Sequence, residues 1–128
     1  MALEVFRVSE VGTRMYRTAP KVSILAGGIC NFNVAAARKY LFTKGKRVKL
    51  YYDSKERVIG FELVNDVKGN NVKVTGNNQI NLNRFIYYYK LKIKELIGSY
   101  DFEEHGALYV IDLKKRKPLM RINRSGLY

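Results

Sequence analysis

The sequence carries itself twice. Over about forty positions, apolar and polar residues keep phase at a constant offset of 50 residues, with no insertion. Val22 and Ile24 fall on Val72 and Val74, and Cys30-Asn31-Phe32-Asn33 falls on Ile80-Asn81-Leu82-Asn83. Leu41 falls on Leu91, and Tyr52-Asp53 on Phe102-Glu103. Ile59-Gly60-Phe61-Glu62-Leu63 then falls on Tyr109-Val110-Ile111-Asp112-Leu113. Identity is low, but the order of buried and exposed positions is what specifies a fold, so both copies are expected to build the same unit.

Each copy reads as β-β-α-β-β. A short strand (22–25; 72–75) meets a turn at Gly27-Gly28 or Gly76-Asn77-Asn78, residue types that accept positive φ. A second strand (29–32; 79–82) runs into Asn33 or Asn83, each placed to cap a helix. Helices are expected at 34–42 and 84–92, with Ala37 and Leu41, and likewise Tyr87 and Leu91, facing one side as i, i+4 pairs. A hairpin follows, with Val48, Leu50 and Tyr52 on one face and Arg47, Lys49 and Tyr51 on the other. It turns at Asp53-Ser54-Lys55-Glu56 and returns with Ile59, Phe61 and Leu63 inward. The second hairpin is expected to turn at Glu103-Glu104-His105-Gly106 and to place Tyr109, Ile111 and Leu113 inward.

A unit of about 45 residues buries too little surface to stand alone, so the two copies should share one core. The organisation expected is an arm or edge strand at 1–20, a first repeat at 21–64, a joint at 65–71, a second repeat at 72–113 and a basic tail at 114–128. The fold class is α+β and rich in β.

Function is constrained mainly by charge. The 24 Lys and Arg against 11 Asp and Glu leave a net +13, which favours polyanionic partners. The excess is not spread evenly. Residues 1–50 hold ten basic and two acidic side chains, residues 51–113 eight and nine, and residues 114–128 six and none. Clustering of this kind points to a binding surface more than to solubility alone. The single Cys30 excludes an intramolecular disulfide and suits a reducing compartment. No apolar run reaches the roughly 20 residues of a membrane span, and the first residues lack the layout of a secretion signal. A cytoplasmic protein without a membrane partner is expected, with a virus-encoded one in host cytoplasm or virion as the alternative.

The stretch Gly28-Ile29-Cys30-Asn31-Phe32-Asn33-Val34-Ala35-Ala36-Ala37-Arg38-Lys39-Tyr40-Leu41, followed by Lys46-Arg47-Val48-Lys49-Leu50-Tyr51-Tyr52-Asp53, resembles the SpoVT/AbrB-like domain family. Two units in one chain resemble the MraZ arrangement. The resemblance covers roughly 21–113 and implies a swapped-hairpin barrel that binds double-stranded DNA, as a transcriptional regulator or an architectural factor. The sequence departs from the family at three places. Gly28 stands where a basic residue follows the turn glycine, Asn33 and Asn83 replace the expected proline, and the Asp-x-Lys-Gly-Arg signature is absent. Only Arg38 and Arg47 match positions from which a DNA contact carries over.

Read from the residues themselves, the candidate nucleic-acid-binding set is Arg14, Arg17, Lys21, Arg38, Lys39, Lys46, Arg47 and Lys49, with Lys44, Tyr16 and Tyr40 interleaved. Lys114, Lys115, Arg116 and Lys117 precede a proline and are expected to act as a tethered arm along a phosphate backbone. Tyr87, Tyr88 and Tyr89 are expected in the core, with an exposed dimerising or base-stacking surface as the alternatives. Asp101, Glu103, Glu104 and His105 are the only dense acid and histidine cluster, and strand alternation keeps them from converging on one metal ion. Cys30, as the copy of Ile80, reads as a small core residue. No catalytic residue, metal or cofactor is expected. The partner expected is double-stranded DNA, bound by a homo-oligomer. The alternative is a structural or virion protein that docks an acidic partner or packaged genome.

Overall fold

Strict alternation along residues 47–64, and again in the second copy, makes long amphipathic strands that must turn one face inward. The computed structural model describes residues 19–65 and 69–119. The first copy supplies β1 (Lys21–Ile24), β2 (Ile29–Phe32), α1 (Val34–Tyr40), β3 (Arg47–Asp53) and β4 (Val58–Val64). The second supplies β5 (Val72–Lys73), β6 (Gln79–Asn81), α2 (Asn83–Tyr88), a single-turn α3 (Ile93–Leu96), β7 (Gly98–His105) and β8 (Leu108–Asp112). A 3-10 turn, Leu113–Lys115, follows. The β-β-α-β-β order therefore occurs twice, with α3 in the second copy at the positions that form the 43–46 turn in the first.

All eight strands join one antiparallel sheet in the order β5-β3-β4-β8-β7-β1-β2-β6. Its two end strands, β5 and β6, are consecutive in the chain. Thr75 N–H donates to the Gln79 carbonyl at 2.8 Å in the turn between them, so the sheet curls into a nearly closed barrel. The copies interleave: β1 pairs with β7, and β5 with β3. Register fixes how they are related. Cys30 lies opposite Ile80 across β2 and β6, and Gly60 opposite Val110 across β4 and β8. Each pair is one repeat position facing its own copy, so a pseudo-twofold axis crosses the barrel through these two walls.

The equivalent turns obey the same symmetry. Gly28 (φ 79°) and its copy Asn78 (φ 57°) both adopt the left-handed conformation. Leu82 N–H donates to the Gly28 carbonyl at 2.8 Å, and Phe32 N–H to the Asn78 carbonyl at 2.9 Å. Asn tolerates this conformation better than other non-glycine residues. Gly28 is required for a second reason, since a Cβ there would sit 2.1 Å from Asn83 Oδ1.

The interior is apolar throughout, with no polar or charged side chain buried among the described residues. Its centre is an aromatic cluster that spans both repeats. Phe42 stacks on Phe32 at 4.3 Å between ring centroids and also meets Tyr40, Phe61, Phe102 and Tyr109. Cys30 is fully buried opposite Ile80, and burial pushes its thiol pKa well up, so it is a packing residue as expected.

Three expectations need correction. The helices are shorter than predicted, and the inward residues are Ala36, Ala37 and Tyr40 in α1 and Phe85 and Ile86 in α2. Leu41 is 53% exposed and Tyr87 86%, so the proposed i, i+4 faces do not exist. Leu41 (φ 65°) and Lys90 (φ 55°) take left-handed backbone and end each helix early, before a second turn of side chains can form a face. Asn33 caps as predicted, accepting from Ala36 N–H at 2.8 Å. Asn83 does not cap; its amide donates to the Gly27 carbonyl across the dyad at 3.0 Å. Finally, the second hairpin turns at 106–107, two residues tighter than the first, so Glu103, Glu104 and His105 belong to β7.

Candidate nucleic-acid interface

β7 carries the acids, and the β1–β7 register brings basic residues onto them. Asp101 accepts from Lys117 Nζ at 2.9 Å and lies 3.7 Å from Lys21 Nζ, whose Cα is its ladder partner. Glu104 accepts from the Tyr40 hydroxyl at 2.8 Å and lies 3.6 Å from Lys39 Nζ. Burial first, and Glu104 second, push Tyr40 up to about 12, so its hydroxyl stays a donor. Glu103 meets Lys115 at 3.4 Å and His105 at 3.5 Å. Four of the predicted cations, Lys21, Lys39, Lys115 and Lys117, are thus locally compensated.

The basic run after the second repeat is docked over its described part and does not trail as an arm. Ser99 and Lys117 exchange backbone hydrogen bonds at 2.8 and 3.0 Å. Arg116 Nη1 donates to the Lys94 and Ile97 carbonyls at 3.0 and 3.2 Å. Lys114 Nζ reaches Asp112 at 3.1 Å and the Glu56 carbonyl. Gly98 permits this dock, because a Cβ there would lie 2.7 Å from the Lys117 carbonyl oxygen.

The Asp101 tie is pH-dependent. The hydrogen bond from Lys117, ahead of Lys21, holds the Asp101 carboxyl below the usual carboxylate range. A depressed folded-state pKa adds stability above the unfolded value and loses it as pH falls through the folded one. Asp101→Asn should therefore lower the urea midpoint near neutral pH, and the gap from wild type should narrow in acid, below the usual carboxylate range. Urea titrations of both proteins at neutral and acid pH check this; a gap that persists in acid assigns the effect to packing.

A second group of cations has no such compensation. Lys44 and Lys46 flank the Gly45 turn ahead of β3, Arg47 and Lys49 point outward from β3, and Lys73 of β5 is the ladder partner of Arg47. Among the described residues, no carboxylate lies within ion-pair distance of these five. Glu62, opposite Lys49 on β4, instead accepts from the Tyr51 hydroxyl at 2.6 Å. That hydrogen bond raises the Tyr51 pKa, and the Lys49 ammonium sits 5.3 Å over the Tyr51 ring. Arg47 is aimed by a 2.9 Å hydrogen bond to Asn71 Oδ1. Arg47 and Lys49 emerge from one strand face about 7 Å apart, two residues of pleat.

The structure therefore splits the predicted set. Lys46, Arg47 and Lys49 come together on the β3–β5 face. Lys21, Lys39 and the 114–117 run lie on the β7 side, Arg38 is exposed on α1, and Arg14 and Arg17 lie outside the described residues, as does the rest of the arm to residue 18. Lys73 was missed, because only the exchange of β5 onto β3 brings it beside Arg47. Among the described residues, no three His, Cys, Asp or Glu side chains are grouped to hold a metal ion. No helix among them is long and apolar enough to cross a membrane. The chain matches no protein-family model, no curated protein and no solved structure.

Proposed function

We propose that this chain is a non-enzymatic protein that binds double-stranded DNA by gripping the phosphate backbone with the β3–β5 face. The observation that carries this reading is the patch of five cations, Lys44, Lys46, Arg47, Lys49 and Lys73, on β3, β5 and the turn ahead of β3, with no carboxylate within ion-pair distance among the described residues. An unpaired surface ammonium or guanidinium keeps its full attraction for phosphate and releases condensed counterions on contact. The strand exchange, β1 on β7 and β5 on β3, supports a likeness to the swapped-hairpin barrel of the SpoVT/AbrB-like family. Contacts of this type position a protein on the duplex without reading bases, so an architectural role is favoured over an operator-specific one.

Fluorescence anisotropy with a random-sequence duplex tests the reading. Wild type should bind at about 50 mM salt, with a steep fall in affinity as salt rises. Lys46→Ala/Arg47→Ala/Lys49→Ala should weaken binding and flatten the salt slope by about 2.7, at about 0.9 for each lost phosphate contact. Lys21→Ala/Lys39→Ala, which removes compensated cations, should leave the slope nearly unchanged. Absence of duplex binding by wild type at low salt would overturn the proposal and leave an acidic protein as the partner for this face.

A further inference from the structure

The second repeat has an exposed feature that the first lacks, at the end of α2. Tyr87 is 86% exposed and Tyr88 76%, against the expectation that they pack the core. Their backbone is fixed. Lys90 N–H donates to the Tyr87 carbonyl at 3.1 Å, Leu91 N–H to Ile86 at 2.9 Å, and Lys90 turns the chain with a φ of 55°. Tyr88 is also braced through rings, meeting Tyr89 edge-on at 4.9 Å. Tyr89 in turn lies 4.8 Å from Tyr52 and 5.0 Å from the buried Phe85. Tyr88 is thus joined through Tyr89 to a ring of the core, while Tyr87 stands out in solvent beside it.

Two concavities meet at Lys90. A groove of about 620 Å³ is lined by Ile86, Tyr87, Tyr88, Leu91 and Ile93, with Asn83 and Lys90 at its polar margin. A smaller pocket of about 270 Å³ shares Lys90 and Leu91 with it and is lined by Arg57, Lys92, Ser54 and Tyr52, with Glu95 its one acid. Arg84 and Lys94 add two more cations on the same segment, and none of Arg84, Lys90, Lys92 and Lys94 has a carboxylate within ion-pair distance among the described residues. A flat aromatic groove therefore adjoins a cationic pocket.

We infer that this is a second binding site, for single-stranded nucleic acid, with unpaired bases stacked on Tyr87 and Tyr88 and phosphates held around Arg57, Lys90 and Lys92. Charge selects the occupant. Self-association through this face would press Arg84, Lys90, Lys92 and Lys94 against the same four cations of a second copy. A duplex keeps its bases stacked on each other and offers none to a tyrosine. Only a polyanion with free π-faces satisfies both the rings and the ammonium groups, and base stacking on aromatic side chains is tolerant of sequence. The site uses none of the β3–β5 residues and stands or falls apart from them.

The test is anisotropy with a labelled oligodeoxythymidylate of about 16 nucleotides, which forms no duplex, beside the random duplex. Tyr87→Ala/Tyr88→Ala should weaken oligomer binding about tenfold or more and leave duplex binding unchanged. Tyr87→Phe/Tyr88→Phe, which keeps the rings and loses the hydroxyls, should retain most of the affinity. Lys46→Ala/Arg47→Ala/Lys49→Ala should do the reverse, losing the duplex first. Wild type that binds the oligomer but not the duplex removes the β3–β5 reading and keeps this one. Undiminished oligomer binding by the alanine variant overturns the inference. So does sedimentation in which wild type is dimeric and the alanine variant monomeric at unchanged oligomer affinity, since the face is then a contact between copies. Both tyrosines are exposed, so a matching urea midpoint for the alanine variant is expected and certifies its fold.

Discussion

Phe42→Ala should lower the unfolding free energy by about 3–5 kcal/mol, the largest loss expected from any single substitution in this barrel. Phe42 is fully buried, stacks on Phe32 and makes edge or offset contacts with four further rings drawn from α1, β4, β7 and β8. Removing it empties a cavity between the repeats that neither can close alone, because its walls are strands held in register by both halves. Native domains hold only about 5–15 kcal/mol in total, so the variant should sit near the edge of folding. Urea denaturation should show a lower midpoint at unchanged slope, the sign of lost packing in a two-state domain. Two separate transitions, or a loss under about 1 kcal/mol, would contradict a single shared core.

Gly28→Ala should cost about 2–3 kcal/mol, and about 1 kcal/mol of that should depend on a residue 55 positions away. The left-handed φ of 79° accounts for about 1–2 kcal/mol with a non-glycine residue. The remainder comes from Asn83, whose side chain fills the space a Cβ needs and must leave the Gly27 carbonyl to yield it. In an Asn83→Ala background, Gly28→Ala should therefore lose only the backbone part. A double-mutant cycle by urea denaturation reads the coupling directly; simple additivity would mean that Asn83 moves aside freely.

Much of the fold can be read from the residues because its information is local or periodic. Alternation set the strands of both hairpins, and the positive φ shared by Gly28 and Asn78 follows from residue types at one repeat position. What escaped was set by non-local register. Asn33 caps a helix and its copy Asn83 does not, because Asn83 is claimed by a turn of the other repeat. The tyrosines of 87–89 were expected inward because aromatic side chains bury large areas, but α2 ends after six residues, leaving Phe85 and Ile86 to cover the barrel.

The candidate site shows the same limit more sharply. Every cation was visible as a letter, but which of them remain available to a phosphate depends on where the acids lie. Asp101, Glu103 and Glu104 looked like a hairpin tip; placed in β7, they lie beside Lys21, Lys39, Lys115 and Lys117. No local pattern reports that β1 pairs with β7, or that β5 brings Lys73 beside Arg47. The block charges located the excess in the first third and the tail, and the sheet register gathered Lys46, Arg47, Lys49 and Lys73 on one face.

The dyad through Cys30–Ile80 and Gly60–Val110 has a consequence for what such a molecule can become. In a symmetric pair of separate chains, every substitution is made twice, and a gain on one side is imposed on the other. Tethering both units in a single polypeptide lifts that restriction while keeping the mutual wall on which each depends. Lys49 can then face solvent where its counterpart is Ser99, and Tyr87 where its counterpart is the packed Ala37. The same freedom reaches the interior, where the buried Phe42 has the exposed Lys92 as its counterpart.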